Sequence, residues 1–210
     1  MTYVSPCQIQ QGESNYPSFL MTYLSTNAPK DLTAIGNLDI LDNKTLSVFS
    51  SAKCPGAIIL KTYDLMKKLR EADITVISGF HSAMERECLN ILLKGKQPVI
   101  ICPARSIEGM RIRAEYKEPL KEGRLLFLSH FPDVEKRISS ERALRRNYFV
   151  AALAASIFIP YAAPKSSTEM FCQEILKWGK QVYTINDEKN NNLVAAGLKP
   201  VSIEIILKNV

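Results

Sequence analysis

The sequence predicts an α/β fold: a mostly parallel sheet with helices on both faces. Three observations predict it. Strand and helix signals alternate along most of the chain. The strand segments are continuously apolar rather than alternating, as strands covered on both faces must be. Small hydroxyl residues also gather where a strand hands over to a helix, most clearly at Pro164-Lys165-Ser166-Ser167-Thr168-Glu169. In a parallel sheet that handover is where phosphate binds, because a helix N-terminus offers free N–H groups and partial positive charge.

The elements follow in order. Residues 1–15 are polar. Residues 16–45 carry short apolar pieces between Pro17, Pro29 and Gly36, and read as short helices and loops: an N-terminal extension, 1–45, packed on a main domain, 46–210. Strands are expected at Leu46 to Ser50, Ile74 to Ile77, Pro98 to Cys102, Leu125 to Ser129, Ile157 to Tyr161, Val182 to Ile185 and Val201 to Leu207. The first of these should be central and the last an edge strand, in a sheet of about six to eight strands. Pro55 to Arg70 sets Ile58, Ile59, Thr62, Leu65, Met66 and Leu69 on one helical face. His81 to Leu93 and Ser166 to Trp178 behave likewise. A further helix runs through Arg145 to Ala155, with Leu144, Tyr148, Ala151 and Ala155 as its expected buried stripe and Arg142, Arg145 and Arg146 projecting away.

The bulk numbers narrow the function classes. The chain has 210 residues, 46% of them hydrophobic, enough for a sizeable core. Its 27 basic and 21 acidic residues leave a net charge of +6, which suits a polyanionic partner without demanding one. Five scattered cysteines without CxxC spacing, beside only His81 and His130, argue against a metal site and for a reducing compartment. The start of the chain is polar and no apolar run approaches the ~20 residues that span a bilayer. A cytoplasmic protein is expected.

Four constellations are candidates for binding. Strand Leu46 to Ser50 leaves through Ser50-Ser51-Ala52-Lys53, small residues followed by a cation that reaches an anion; it is neither GxGxxG nor a Walker loop. The next strand leaves through Ser78-Gly79-Phe80-His81. This is either a ligand loop or a plain turn before a helix capped by Ser82. Arg142, Arg145 and Arg146 put three guanidiniums in five residues, suited to phosphates or equally to a solvated face. Arg146 could instead be structural, paired with Glu141 or Asp133. Ser166 and Glu169 have capping-box spacing, so that turn also has a purely structural reading. Glu169 at the end of that turn could instead serve as an acid or base, but no partner carboxylate or histidine lies near it in sequence, which argues against catalysis.

Taken in order, these pieces resemble the DNA-processing protein A family, also called DprA or Smf. The resemblance rests on Tyr16-Pro17-Ser18-Phe19-Leu20, Ile77-Ser78-Gly79-Phe80, Phe131-Pro132, Arg146-Asn147, Ser166-Ser167-Thr168, Gly179-Lys180-Gln181-Val182 and Asn192-Leu193-Val194-Ala195-Ala196-Gly197. It covers residues 16–201. It implies an extended Rossmann-like domain that binds single-stranded DNA, forms a homodimer and helps load a RecA-type recombinase, with no catalysis, cofactor or metal. The implied nucleic-acid contacts are Ser50, Ser51, Lys53, Ser78, Gly79, Phe80, His81, Arg105, Arg146, Asn147, Lys165, Ser166, Ser167, Thr168 and Asn192. The chain departs from the family pattern. Ser50-Ser51-Ala52 replaces Gly-Ser-Arg, Tyr148 replaces the second arginine of Arg-Asn-Arg, Ser167 replaces a glycine, and Asn186-Asp187 replaces Pro-Gly. The family's helical N-terminal domain and C-terminal winged helix are expected to be absent. A second resemblance, to cytokinin-activating phosphoribohydrolases through Ser166-Ser167-Thr168-Glu169, implies a sensor or hydrolase for a small nucleotide. A third reading is an interaction protein without a working site.

Overall fold

The structure, a computed structural model, describes residues 5–201. Nine strands form one sheet: β1 (Cys7–Gln10), β2 (Asp31–Gly36), β3 (Thr45–Ser50), β4 (Thr75–Ser78), β5 (Val99–Ile101), β6 (Leu125–Ser129), β7 (Ser156–Tyr161), β8 (Gln181–Ile185) and β9 (Lys199–Val201). Their spatial order is β1-β2-β6-β5-β4-β3-β7-β8-β9. From β6 to β9 every pairing is parallel. β3 lies inside the sheet between β4 and β7, and the chain reverses its direction of winding there.

Neighbouring residues on each interior strand enter opposite cores. Leu46 and Val48 of β3 pack on one side and Phe49 on the other; Phe158 of β7 opposes Ile157 and Ile159 in the same way. Both faces are therefore apolar, which is the physical content of the continuous apolar runs. One core takes α2 (Gly56–Leu69) and α3 (Ala83–Leu92), with α4 (Ala114–Lys121) at its margin. The other takes α1 (Phe19–Leu24), α5 (Ser140–Leu153), α6 (Ser167–Leu176) and the short α7 (Asn191–Ala195).

Three expectations need correction. Among the described residues the sheet has nine strands, because the N-terminal stretch expected to hold short helices and loops also supplies β1 and β2. β2 pairs antiparallel with β6, and β1 antiparallel with β2. Their partner lies far along the chain, so no local pattern announced the pairing. The buried stripe of α5 is also rotated. Arg146, Phe149, Val150 and Ala151 to Leu153 are buried, whereas Leu144 and Ala155 are exposed. Finally, β9 begins at Lys199; of the strand expected from Val201 to Leu207, positions 202–207 lie outside the described residues.

Candidate nucleic-acid interface

The strand ends β3, β4 and β7 converge at the carboxyl edge of the sheet, with the N-termini of α3 and α6 facing the same crevice. Open parallel sheets bind ligands at this reversal point. The β3 and β7 exits are sewn together. Ser51 N donates to Tyr161 O at 3.1 Å, Ala163 N donates to Ser51 Oγ at 3.1 Å, and the hydroxyls of Ser51 and Ser166 lie 3.3 Å apart. Ser50, Ser51 and Ser166 are thus brought together from positions more than a hundred residues apart.

Both helix N-termini are closed by the chain's own glutamates. Ser82 and Glu85 form a full capping box on α3. Glu85, buried, accepts from His81 N at 2.9 Å and Ser82 N at 3.1 Å, and reaches Ser50 N at 3.3 Å. On α6, Ser166 Oγ accepts from Glu169 N, while Glu169 accepts from Lys165 N at 2.6 Å rather than from Ser166 N. Lys165 takes φ 60° to present that N–H, and Phe80 takes φ 47° in the other turn. Left-handed backbone at non-glycine residues is uncommon and collects at ligand sites and turns. Asn192 Nδ2 donates to Glu169 Oε1 at 2.5 Å and to Ala162 O at 3.1 Å, tying α7 to the same turn.

Arg146 lies beneath the crevice. It is 5% exposed, donates Nε to Asn147 Oδ1 at 2.9 Å and Nη1 to Cys102 O at 3.2 Å. The guanidinium fills the space above Gly79: a Cβ built there would sit 1.0 Å from Nη1. Burial disfavours its charge and the nearby Glu85 carboxylate favours it; a guanidinium stays protonated under such opposition. Arg146 thus does not project from α5 as expected, and it pairs with neither Glu141 nor Asp133. Arg142 and Arg145 both turn to Glu135, at 2.6 and 3.4 Å. The three arginines do not form one phosphate cluster.

The other expected residues fall into place around this centre. Ser78 Oγ is used internally, donating to Val48 O at 2.7 Å and accepting from Phe80 N. Phe80 is buried and His81 exposed. Lys53 lines an open pocket of about 600 Å³ with Cys54, Tyr63, Met84 and Tyr161. Ser167 and Thr168 stand in the first turn of α6, where N–H groups lack intrahelical partners. Arg105 is not gathered in. It sits two strands from β3, its guanidinium on Ser106 O and its own carbonyl accepting from Ser129 Oγ. Sequence reasoning missed Glu85 as the link between the β3 and β4 exits. The Ser82-x-x-Glu85 spacing was the available signal.

The family model for DNA recombination-mediator protein A matches residues 8–202. The chain belongs to this family. Among solved structures it is similar to DNA processing protein A from Streptococcus pneumoniae, with TM-score 0.79 and 19% identity over 97% of this chain and 74% of that one. It is similar to DNA processing protein A from Helicobacter pylori, whose structure concerns its single-stranded DNA binding mode, with TM-score 0.76 and 17% identity over 97% and 94% of the two chains. A more distant likeness, TM-score 0.51 and 12% identity over 79% and 94%, is to the molybdenum cofactor carrier protein of Chlamydomonas reinhardtii. No curated protein matches the chain. These likenesses establish the mediator family's Rossmann-like architecture for this chain. Among the described residues no helix is long and apolar enough to cross a membrane.

Proposed function

We propose that the chain binds single-stranded DNA along the carboxyl edge of its sheet and acts as a DNA-processing and recombination-mediator protein, without chemistry on the strand. The observation that carries this is the buried Arg146 guanidinium under the crevice floor, hydrogen-bonded to Asn147 and Cys102 and only partly offset by the nearby Glu85 carboxylate. A buried cation beside the carboxyl ends of β4 and β5 raises the potential of the crevice above it. Glu85 and Glu169 occupy the helix caps, so the phosphates sit on Lys53, Lys165 and the Ser167 and Thr168 N–H groups at the lip. Ser50, Ser51, Ser78, Gly79 and Asn192 build the walls rather than touch the strand. A homodimer and a RecA-type recombinase as partner belong to the same reading.

The test sets labelled oligo-dT against free mononucleotides. The strand should bind and the mononucleotides should not compete at equal phosphate concentration. Lys165→Gln should weaken strand binding by about 1.5–3 kcal/mol, the size of a hydrogen bond to a charged group. A second reading, a small-nucleotide sensor, is favoured by the pocket beside Lys53 and Tyr161, whose size suits one nucleotide. Saturable mononucleotide binding with no response to oligo-dT would establish it in place of the first.

A further inference from the structure

A second and larger cavity, about 1010 Å³, opens where β1, β2, α1 and α5 meet, beyond the carboxyl end of β6. The two sites lie on opposite sides of one helical step. Arg146 turns under the crevice, while Arg145, next to it on α5, lines this cavity. None of the crevice residues lines it.

Six aromatic rings line it in two contacting groups, Tyr23, Tyr148 and Trp178, and His130, Phe131 and Phe149. Tyr23 and Trp178 stack at 5.3 Å, and the His130 ring lies 4.0 Å from Phe131 and 4.5 Å from Phe149. His130 Nδ1 is buried and has no hydrogen-bond partner among the described residues. Burial, and then the charges of Arg145 and Arg146, hold the imidazole neutral with its pKa near 3. Nδ1 itself is sealed from the cavity, so His130 serves as a neutral part of its wall.

The charges decide the class of ligand. Asp31, Glu108, Asp133 and Glu174 line the cavity against only Lys30 and Arg145, so a phosphate is repelled. A cation is disfavoured too, because internal cations already sit on two ring faces: Lys180 Nζ is 3.9 Å from the Tyr23 centroid, and Arg145 lies 5.1 Å from that of Phe131. Flat apolar walls with amide and carboxylate groups remain. Gln8 is fixed in this wall, donating to Glu108 Oε1 at 2.6 Å and accepting from Thr33 Oγ1 at 3.2 Å. Stacking rings take a planar heterocycle from any source, and carboxylates take its N–H edge.

We propose that this cavity binds an uncharged nucleobase-type heterocycle, with Glu108 accepting from its N–H edge and the half-buried rings of Tyr148 and Trp178 packing against its faces. Guanine, with adjacent ring N–H and amino donors, fits that edge. The source is a free nucleoside or a base unstacked from a strand. This inference stands apart from the proposed function: it concerns different residues and needs no phosphate.

Trp178 is the only tryptophan of the chain and lines the cavity, so its fluorescence reports occupancy directly. Guanosine titrated into the intact protein should change that fluorescence saturably, with little dependence on salt. Glu108→Gln, checked for unchanged circular dichroism, should weaken the response about tenfold. If guanosine is silent but oligo-dG changes the fluorescence and oligo-dT does not, the base comes from a strand. No saturable response to guanosine or oligo-dG at millimolar base, or full binding by Glu108→Gln, overturns the proposal. Strand binding weakened by Lys165→Gln with the guanosine response intact would separate the two sites.

Discussion

At the scale of residues, two positions carry sharp consequences. Gly79 has no alternative while Arg146 keeps its seat, since a methyl group there would overlap the guanidinium. Gly79→Ala should cost about 1–3 kcal/mol, the range for overpacking, because Arg146 must leave Cys102 O. In an Arg146→Ala background the same change should cost little, and a double-mutant cycle in urea reads that coupling. His130 makes stability depend on acid. Its folded pKa lies near 3 against about 6.5 when unfolded. The unfolded chain therefore binds more protons between these values, and stability falls as pH drops below 6.5. The slope approaches about 1.4 kcal/mol per pH unit for one group. The melting temperature should fall between pH 6.5 and pH 4, and His130→Gln should flatten that fall.

At the scale of elements, Lys180 holds three of them. Its ammonium donates to Ala151 O, Ala152 O and Ala154 O at 2.8, 2.7 and 2.6 Å and lies over Tyr23. It closes the C-terminus of α5, where a cation is favoured by the helix dipole, and pins α1 and the start of β8 to it. Burial draws its pKa down to about 7, against which the three carbonyls favour the charged form. Lys180→Ala should lower stability by about 2 kcal/mol in urea unfolding, with strand affinity of the folded protein unchanged. The capping glutamates act at the same scale. Glu85 joins the β3 exit to α3 and Glu169 joins α6 to α7, so two turns that look like open phosphate seats are braced from inside.

For the whole molecule, the reversal of winding beside β3 puts one crevice at the edge of a sheet in a chain of net charge +6. Strand binding should weaken steeply with salt. Removing the cation that neutralises one phosphate, as in Lys53→Gln, should flatten the log–log slope by roughly 0.7. Affinity should vary little with base composition in oligomers that leave the aromatic cavity empty, because backbone contacts carry no base information. Equal slopes for the mutant and the parent protein would remove Lys53 from the interface.

The sequence by itself determined strands β3 to β8 and helices α2, α3, α5 and α6, because continuous apolar strands and amphipathic helices write their burial into local pattern. It determined the Ser166 turn and the α3 cap for the same reason: a cap is made within four residues. Tertiary structure alone decided what depends on distant partners. β1 and β2 became strands only by pairing with β6. Arg146 turned inward because Gly79, more than sixty residues earlier, leaves room for it. The aromatic cavity gathers Tyr23, His130 and Trp178 from three separate stretches, and no periodicity within any one of them records that meeting. Local pattern fixes which face of an element is apolar; packing fixes which charged side chain is nevertheless drawn beneath it.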